Sequence, residues 1–177
     1  MPYIFKRNKQ KRFEALYRIY AKNLYVLSLR YVANSFDAEE VVQRAFIKVF
    51  EKLDAFKEEN EQATKGWLNR IVINESLLLL REQKRIQLND DTTFNEPFTD
   101  SLPDTDLSYK ECLSLVRNLP DGYRAVFNLY VIEGYSHKEI AVMLDISEAS
   151  SRSQLTRARA YLQKQIKQLN YETEVIR

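Results

Sequence analysis

Arginine and small hydroxyl residues recur at helical spacing near the end of the sequence. The recurring positions are Ala149, Arg152, Ser153, Thr156 and Arg157. This spacing places all five on one side of an α-helix. Arginine binds guanine through two hydrogen bonds, and a serine or threonine hydroxyl pairs with either a donor or an acceptor on a base edge. Solvated helix faces are usually richer in Glu and Lys, so the composition favours contact with the major groove of DNA.

Two helices joined by a tight turn are predicted to carry this face. Ser136 and Glu139 form a capping box for a short helix of about two turns, and Ser147 caps a longer helix that runs to about Leu169. The turn contains Asp145, a residue type that tolerates left-handed backbone. The opposite side of the longer helix is predicted to be buried and carries Ser151, Leu155, Ala158, Leu162 and Ile166. This is the outline of a helix-turn-helix, which an ordinary helical hairpin shares.

Three helices are predicted in the first half of the chain. The first covers about residues 10–32, and the second begins at Asp37, which opens a D-x-x-E start signal. The second helix carries an apolar stripe of Ala38, Val41, Val42, Ala45, Phe46, Val49, Phe50 and Leu53. The third covers about residues 64–86, begins near Gly66 and ends in a basic run. Trp67 is predicted to belong to the core and not to a stacking platform for bases.

The segment between the two halves differs in charge from both of them. Residues 89–106 carry six acidic residues and no basic ones, whereas residues 1–88 carry 17 basic and 11 acidic residues. The segment is rich in Asp, Thr and Asn and contains two prolines, which is typical of a flexible linker. The positive first half is the electrostatic pattern of a protein that binds a phosphate backbone, although a solvated lysine-rich surface has the same pattern.

After the linker, further helices are predicted over residues 107–118 and 121–133. Pro120 interrupts the helix before it, and Gly134 ends the helix that follows. The chain has only three glycines and four prolines, and no stretch alternates with period two. The predicted fold class is therefore all-α, with two small helical domains joined by a flexible acidic linker.

Composition also argues against several classes of function. Cys112 is the only cysteine and His137 the only histidine, so neither a disulfide framework nor a metal-ligand cluster is expected. The carboxylates lie on solvated faces without a catalytic signature, so we expect no catalytic site, no metal, no cofactor and no enzymatic activity. The apolar runs are too short to span a membrane and the N-terminus lacks a signal-peptide core, so a cytoplasmic protein without membrane insertion is expected.

Three segments of the sequence resemble the sigma-70 family of bacterial RNA polymerase sigma factors, in the order in which that family has them. One is DAEEVVQRAFIKVFEKL, which is similar to the polymerase-binding helix. Another is GWLNRIVIN with the later REQKR, which resembles the start-proximal promoter reader. The last is LPDGYRAVFNLYVIEGYSHKEIAVMLDIS followed by SRSQLTRARAYL, which is similar to the upstream-element domain. Segments for the additional domains of larger sigma factors are not found, so the resemblance is to the extracytoplasmic function (ECF) subfamily.

The resemblance implies a role for each part of the chain. Residues 1–88 would bind core polymerase and recognise and melt the start-proximal (−10) element. Residues 89–106 would be the acidic linker, which in the family threads polymerase channels built for nucleic acid. Residues 107–177 would form the helix-turn-helix domain that recognises the upstream (−35) element. The implied partners are the β and β′ subunits of core RNA polymerase, promoter DNA and an anti-sigma factor.

The resemblance also implies three groups of binding residues. The core-polymerase contacts would be Glu40, Gln43, Arg44 and Ile47, where Ile47 is an apolar residue on a polar face and Arg44 stands where the family commonly has an acidic residue. The start-proximal contacts would be Asn74, near an extruded base, and Arg81, Lys84 and Arg85, on backbone phosphates. The upstream contacts would be Arg152, Ser153, Thr156, Arg157 and Arg159.

A second function also fits the helix-turn-helix. A stand-alone transcriptional regulator would use the same motif, with residues 1–88 as a sensor or dimerisation domain. Such a regulator binds duplex DNA by itself, whereas a sigma factor generally needs core polymerase. Binding to core polymerase therefore separates the two hypotheses.

Overall fold

A computed structural model describes residues 2–57, 59–87 and 107–175. Every regular element in these ranges is helical, which confirms the predicted all-α class. The α-helices are α1 (Pro2–Leu29), α2 (Ser35–Lys52), α3 (Glu61–Gln87), α4 (Leu107–Arg117), α5 (Asp121–Phe127), α6 (His137–Leu144) and α7 (Glu148–Val175). A π-helical segment, Asn128–Ile132, directly follows α5. Among the described helices none is long and apolar enough to cross a bilayer.

The chain divides into two compact units, Met1–Asp100 and Ser101–Arg177. We call them the N-terminal and the C-terminal unit. The predicted linker, residues 89–106, lies outside the described residues, so its structure and the exact domain bounds stay predictions.

The N-terminal unit is a bundle in which α1, α2 and α3 pack against one another. Its core contains the apolar stripe predicted for the second helix, from Ala38 to Leu53. Phe50 is the exception, because 43% of its surface remains exposed. It lies at the end of the bundle, with its ring 5.3 Å from that of Phe13 in an edge-to-face arrangement. The Lys9 ammonium lies over the same Phe50 ring.

All three helices of this unit begin earlier than predicted, and asparagine residues cap two of them. Asn34, not Asp37, is the N-cap of α2, and its side chain accepts a hydrogen bond from the Asp37 backbone N–H at 2.8 Å. Asn60 in the same way accepts from the Ala63 N–H at 2.7 Å, so α3 begins at Glu61 and not near Gly66. Neither asparagine is followed at once by an apolar residue, so the apolar pattern does not mark these starts.

The C-terminal unit packs α4, α5 and α6 against α7. A buried arginine, Arg124, joins the chain across the break at Pro120. Its guanidinium is 2% exposed, donates to the backbone carbonyls of Arg117 and Leu119 at 3.1 and 2.7 Å, and forms an ion pair with Asp121. These bonds satisfy carbonyls at the end of α4 and hold α5 at a fixed turn after the proline.

The helix predicted over residues 121–133 is not α-helical throughout. After Phe127 it widens into the π-helical segment, in which the Glu133 N–H donates to the Asn128 carbonyl, five residues back, at 3.0 Å. The buried Asn128 side chain donates to the Arg124 carbonyl at 2.9 Å. Gly134 then ends the helix with a φ of 79°, as predicted from its type.

Candidate nucleic-acid interface and partner surface

The predicted turn between α6 and α7 is present in detail. Ser136 caps α6, and its side chain and that of Glu139 bond each other's backbone N–H groups as a capping box. Asp145 adopts the left-handed conformation with φ 55° and ψ 49°, which reverses the chain after α6. The Ser147 hydroxyl then accepts a hydrogen bond from the Ser150 N–H at 3.0 Å at the start of α7. The relative direction of α6 and α7 is therefore fixed by local hydrogen bonds.

The capping box makes the stability of this motif depend on pH. Hydrogen bonds from the Ser136 side chain and backbone lower the pKa of the Glu139 carboxyl. The ionised form is therefore stabilised on folding, and this contribution is lost as pH falls through the folded-state pKa. We expect Glu139→Gln to lower the melting temperature at neutral pH, and the difference from the wild type to shrink towards about pH 3. Thermal unfolding followed by circular dichroism measures it; an equal difference at both pH values would contradict the role.

Most of the predicted buried side of α7 is in the core. Ser151 and Ala158 are fully buried and Leu155 is 4% exposed. Ile166 was wrongly predicted as buried, since 45% of its surface is exposed. Leu162 of the same predicted side is partly exposed, and α7 continues beyond both residues to Val175.

Ser151 is held by a polar contact as well as by packing. Its hydroxyl lies 2.9 Å from Nδ1 of His137, the first residue of α6. The imidazole ring stacks on Tyr130, with the ring centroids 4.4 Å apart. The only histidine of the chain therefore joins α6, α7 and the π-helical segment, which is a structural position.

The predicted DNA-facing side of α7 is exposed. The five exposed candidates are Arg152, Ser153, Thr156, Arg157 and Arg159. Arg152 forms an ion pair with Glu148 at 2.7 Å, one turn earlier, and 60% of its side chain stays exposed. The Thr156 hydroxyl donates to the Arg152 carbonyl at 3.1 Å and stays at the surface. Serine and threonine add little bulk between the arginines, so this face can approach a groove closely.

Between residues 68 and 81 the exposed positions of α3 lie on one narrow side, which carries predicted start-proximal residues. Asn74 and Arg81 lie on it, together with Arg70, one turn before Asn74. The sequence interpretation missed Arg70, although its spacing from Asn74 is a signal that could have found it. Lys84 and Arg85 are within α3, but their side chains lie outside the described residues, so their phosphate contacts stay predictions.

The outer face of α2 combines polar and apolar side chains. Gln43 is exposed, Glu40 is partly exposed, and Ile47 is an isoleucine with 61% of its surface exposed. Phe36, seven residues before Gln43, is 75% exposed on the same side and was missed because it precedes the predicted start of the helix. An apolar pair that flanks polar groups on one helix face is typical of a partner surface.

The guanidinium of Arg44 on α2 is already paired with two carboxylates. The guanidinium contacts Glu40 at 2.6 Å and Glu82 of α3 at 2.8 Å. The hydrogen bond that Arg44 donates to the Glu82 carboxylate is the largest cause that raises the pKa of Arg44, and burial opposes it. We call this three-residue group the Arg44 clamp.

Trp67 was predicted to belong to the core, but its side chain is only partly buried. Its ring is partly exposed and stacks on Phe56 with a centroid separation of 3.9 Å and an interplanar angle of 6°. Leu68 and Ile71, its predicted core neighbours, are buried. The indole therefore closes the edge of the bundle, and its face is occupied by another ring of the same chain.

In the described part of the chain, no group of three or more His, Cys, Asp or Glu residues could hold a metal ion.

Comparison with known proteins identifies both units. Residues 16–86 match the family model of sigma-70 region 2, and residues 109–162 match that of sigma-70 region 4. The chain is 30% identical over 173 residues to the ECF RNA polymerase sigma-E factor of Haemophilus influenzae, with 90% of each chain covered. It is 28% identical over 177 residues to the ECF sigma factor SigW of Bacillus subtilis, covering 93% of this chain and 94% of that protein.

A solved structure has the same fold. The sigma factor RpoE of Bartonella quintana, in complex with the anti-sigma factor NepR, aligns with a TM-score of 0.59 at 23% sequence identity. The alignment covers 89% of this chain and 98% of that one.

The chain therefore belongs to the sigma factors, and within them to the ECF RNA polymerase sigma factors. It binds core RNA polymerase and directs promoter-specific initiation of transcription. This confirms the family and the function predicted from the sequence, and the alternative of a stand-alone regulator is not favoured.

Proposed function

We propose that the N-terminal unit contains a polymerase-binding helix and a promoter-reading helix, and that the C-terminal unit contains a second promoter-reading helix. Residues 1–88 bind core polymerase through α2 and read and melt the start-proximal element through α3. Residues 107–177 recognise the upstream element through α7, and residues 89–106 act as the acidic linker. The proposal assigns no catalytic step to the chain, and it places the protein in the cytoplasm, where core polymerase works.

The observation that carries the proposal is the exposed side of α3. Between residues 68 and 81 most positions of α3 are buried, and the strip that remains exposed there contains Arg70, Asn74 and Arg81. Arginine contacts the phosphates of DNA, and a carboxamide both donates to and accepts from a base edge. A helix with this exposed strip can bind a DNA strand whose bases have left the duplex. A protein that reads only closed duplex DNA does not need such a strip.

Reconstitution with purified core polymerase tests the proposal. We expect the full chain to form a holoenzyme that initiates at a specific promoter, selected from a library of random upstream and start-proximal sequences. Core polymerase alone is the control. Selection of duplex sites by the chain without core polymerase, and no initiation with it, would overturn the assignment.

The α2 surface is tested by a double variant. Gln43→Ala with Ile47→Asp should weaken binding to core polymerase by about 1–2 kcal/mol, roughly 5–30-fold, because it removes two side chains of the proposed contact surface. Both side chains are exposed, so their loss leaves the core of the bundle intact. The matched control is Asn23→Ala with Ile19→Asp, an exposed pair with the same spacing on α1. A competition assay measures the affinity. Equal affinity of the test variant and the control would remove α2 from the interface.

We also propose that an anti-sigma factor restrains this protein. The support is the Bartonella quintana sigma factor, whose solved structure includes such a partner. Co-purification of the tagged chain from its own cell tests this proposal; recovery of core polymerase without a second partner would count against it.

A further inference from the structure

Apolar packing alone does not set the rotation of α3 about its own axis. The buried residues between positions 68 and 79 cover roughly 240° of the helix circumference, at about 100° per residue. They are Leu68, Ile71, Val72, Ile73, Glu75, Ser76, Leu77 and Leu79. Apolar burial has no preferred direction, so a small rotation of a helix with such a wide buried arc changes the buried apolar area less than it would for a narrow stripe.

Polar contacts between α2 and α3 distinguish these rotations. The pairs are Lys48 with Glu75, Arg44 with Glu82 at 2.8 Å, and Asp37 with Gln83 at 2.7 Å. Glu75 and Glu82 are seven residues apart and therefore share one side of α3. Glu75 is only 3% exposed and directly follows Asn74, so the pair that holds Glu75 inward turns Asn74 outward.

We propose that Arg44 is a positioning residue that fixes the promoter-reading strip of α3 relative to the polymerase-binding face of α2, and that it is not a polymerase contact. The inference rests on the proposed functions of α2 and α3. One guanidinium nitrogen bonds Glu40 on its own helix and the other bonds Glu82 on α3. The planar, two-sided donor set of arginine can hold both carboxylates at once, which a lysine ammonium does less well.

The position of Arg44 makes it a link between binding and melting. It lies one turn from Glu40 and Ile47 on the face that engages polymerase, and its partner Glu82 lies next to Arg81 on the helix that engages the promoter. Because Arg44 bonds to carboxylates on both helices, polymerase that is bound to α2 also holds α3 at a defined rotation. Loss of the link should therefore slow strand opening and leave binding of core polymerase unchanged.

A double-mutant cycle in reconstituted holoenzyme tests the clamp. Arg44→Gln and Glu82→Gln should each slow strand opening by about 2–5-fold. The expected effect is small because both paired side chains are one-third or more exposed, and water screens such a pair. The double variant should be no slower than either single variant, since each removes the same contact. Permanganate reactivity of start-site thymines measures opening, and competition measures core affinity. Lys65→Gln, at an exposed position of α3, controls for loss of charge.

Exchange of the charges separates the clamp from a polymerase contact. Arg44→Glu with Glu82→Arg should restore opening to within about twofold of wild type, because the exchange keeps opposite charges at positions 44 and 82. Additive single effects, or no recovery in the exchanged variant, would overturn the proposal. So would a loss of core affinity in Arg44→Gln that Glu82→Gln does not share. If the wild type itself fails to open a promoter, the proposed function fails; if it opens and the cycle is additive, only the clamp fails.

Discussion

Arg157→Ala should cost about 1–3 kcal/mol of binding at the upstream element and should relax the base preference there. Arg157 lies on the exposed face of α7, whose opposite side is anchored in the core by Leu155 and Ala158. Its removal therefore leaves the fold intact and deletes a side chain that can bind guanine at two atoms. Arg152→Ala should act in the same direction, and it also leaves Glu148 without its ion-pair partner close to the DNA.

Selection of upstream elements by holoenzyme from a random library measures both effects. Lys164→Ala is the matched control, since Lys164 is an exposed cation on the same helix. Lys164 lies seven residues after Arg157 and on the same side of α7, so we expect it to contact backbone phosphate. Its removal should therefore affect all sequences equally and change the salt dependence by about one unit of slope. If Arg157→Ala behaves like Lys164→Ala, the α7 face is a phosphate-binding surface without base contacts.

Asn74→Ala should depress strand opening roughly tenfold while closed-complex binding stays largely intact. Removal of a base from the stack costs a few kcal/mol, and a protein offsets this by holding the extruded base. The Asn74 carboxamide is exposed beside Arg70 on the exposed strip of α3, so it can supply a donor and an acceptor to a base edge.

Permanganate footprinting of start-site thymines reports opening, and a filter-binding assay on ice reports the closed complex. Asn23→Ala, the same substitution at an exposed position of α1, is the control. Unchanged opening in Asn74→Ala on both supercoiled and linear promoters would show that this residue does not hold the extruded base.

Local hydrogen-bond signals in the sequence predicted the α6–α7 region well. The residues that define it, Ser136, Glu139, Asp145 and Ser147, each act through bonds to backbone groups within a few positions, so the sequence spacing contains the geometry. The exposed face of α7 followed from the same periodicity. Features that depend on distant residues were less predictable. The pairing of Arg44 with Glu82 joins positions 38 apart, and no periodic pattern reveals it.

Helix ends and helix type were missed for a different reason. Asn34 and Asn60 cap helices whose first turn lies outside the apolar stripe, so the apolar pattern began too late. The exposure of Ile166 depends on how far neighbouring helices reach, which the periodicity of α7 does not contain. The π-helical segment was missed because its residues satisfy an α-helical pattern equally well.

That π-helical segment has a consequence for comparing this chain with its relatives. Each of its hydrogen-bonded rings holds one residue more than an α-helical ring, so the segment acts as a one-residue insertion absorbed within a single turn. A relative with a regular α-helix here would place the same side chains about 100° out of phase on one side of the segment. In an alignment with such a relative, residue equivalences carried from α5 to Tyr130 and His137 would change by one position, and a gap inside this helix would be needed to superpose the two sides.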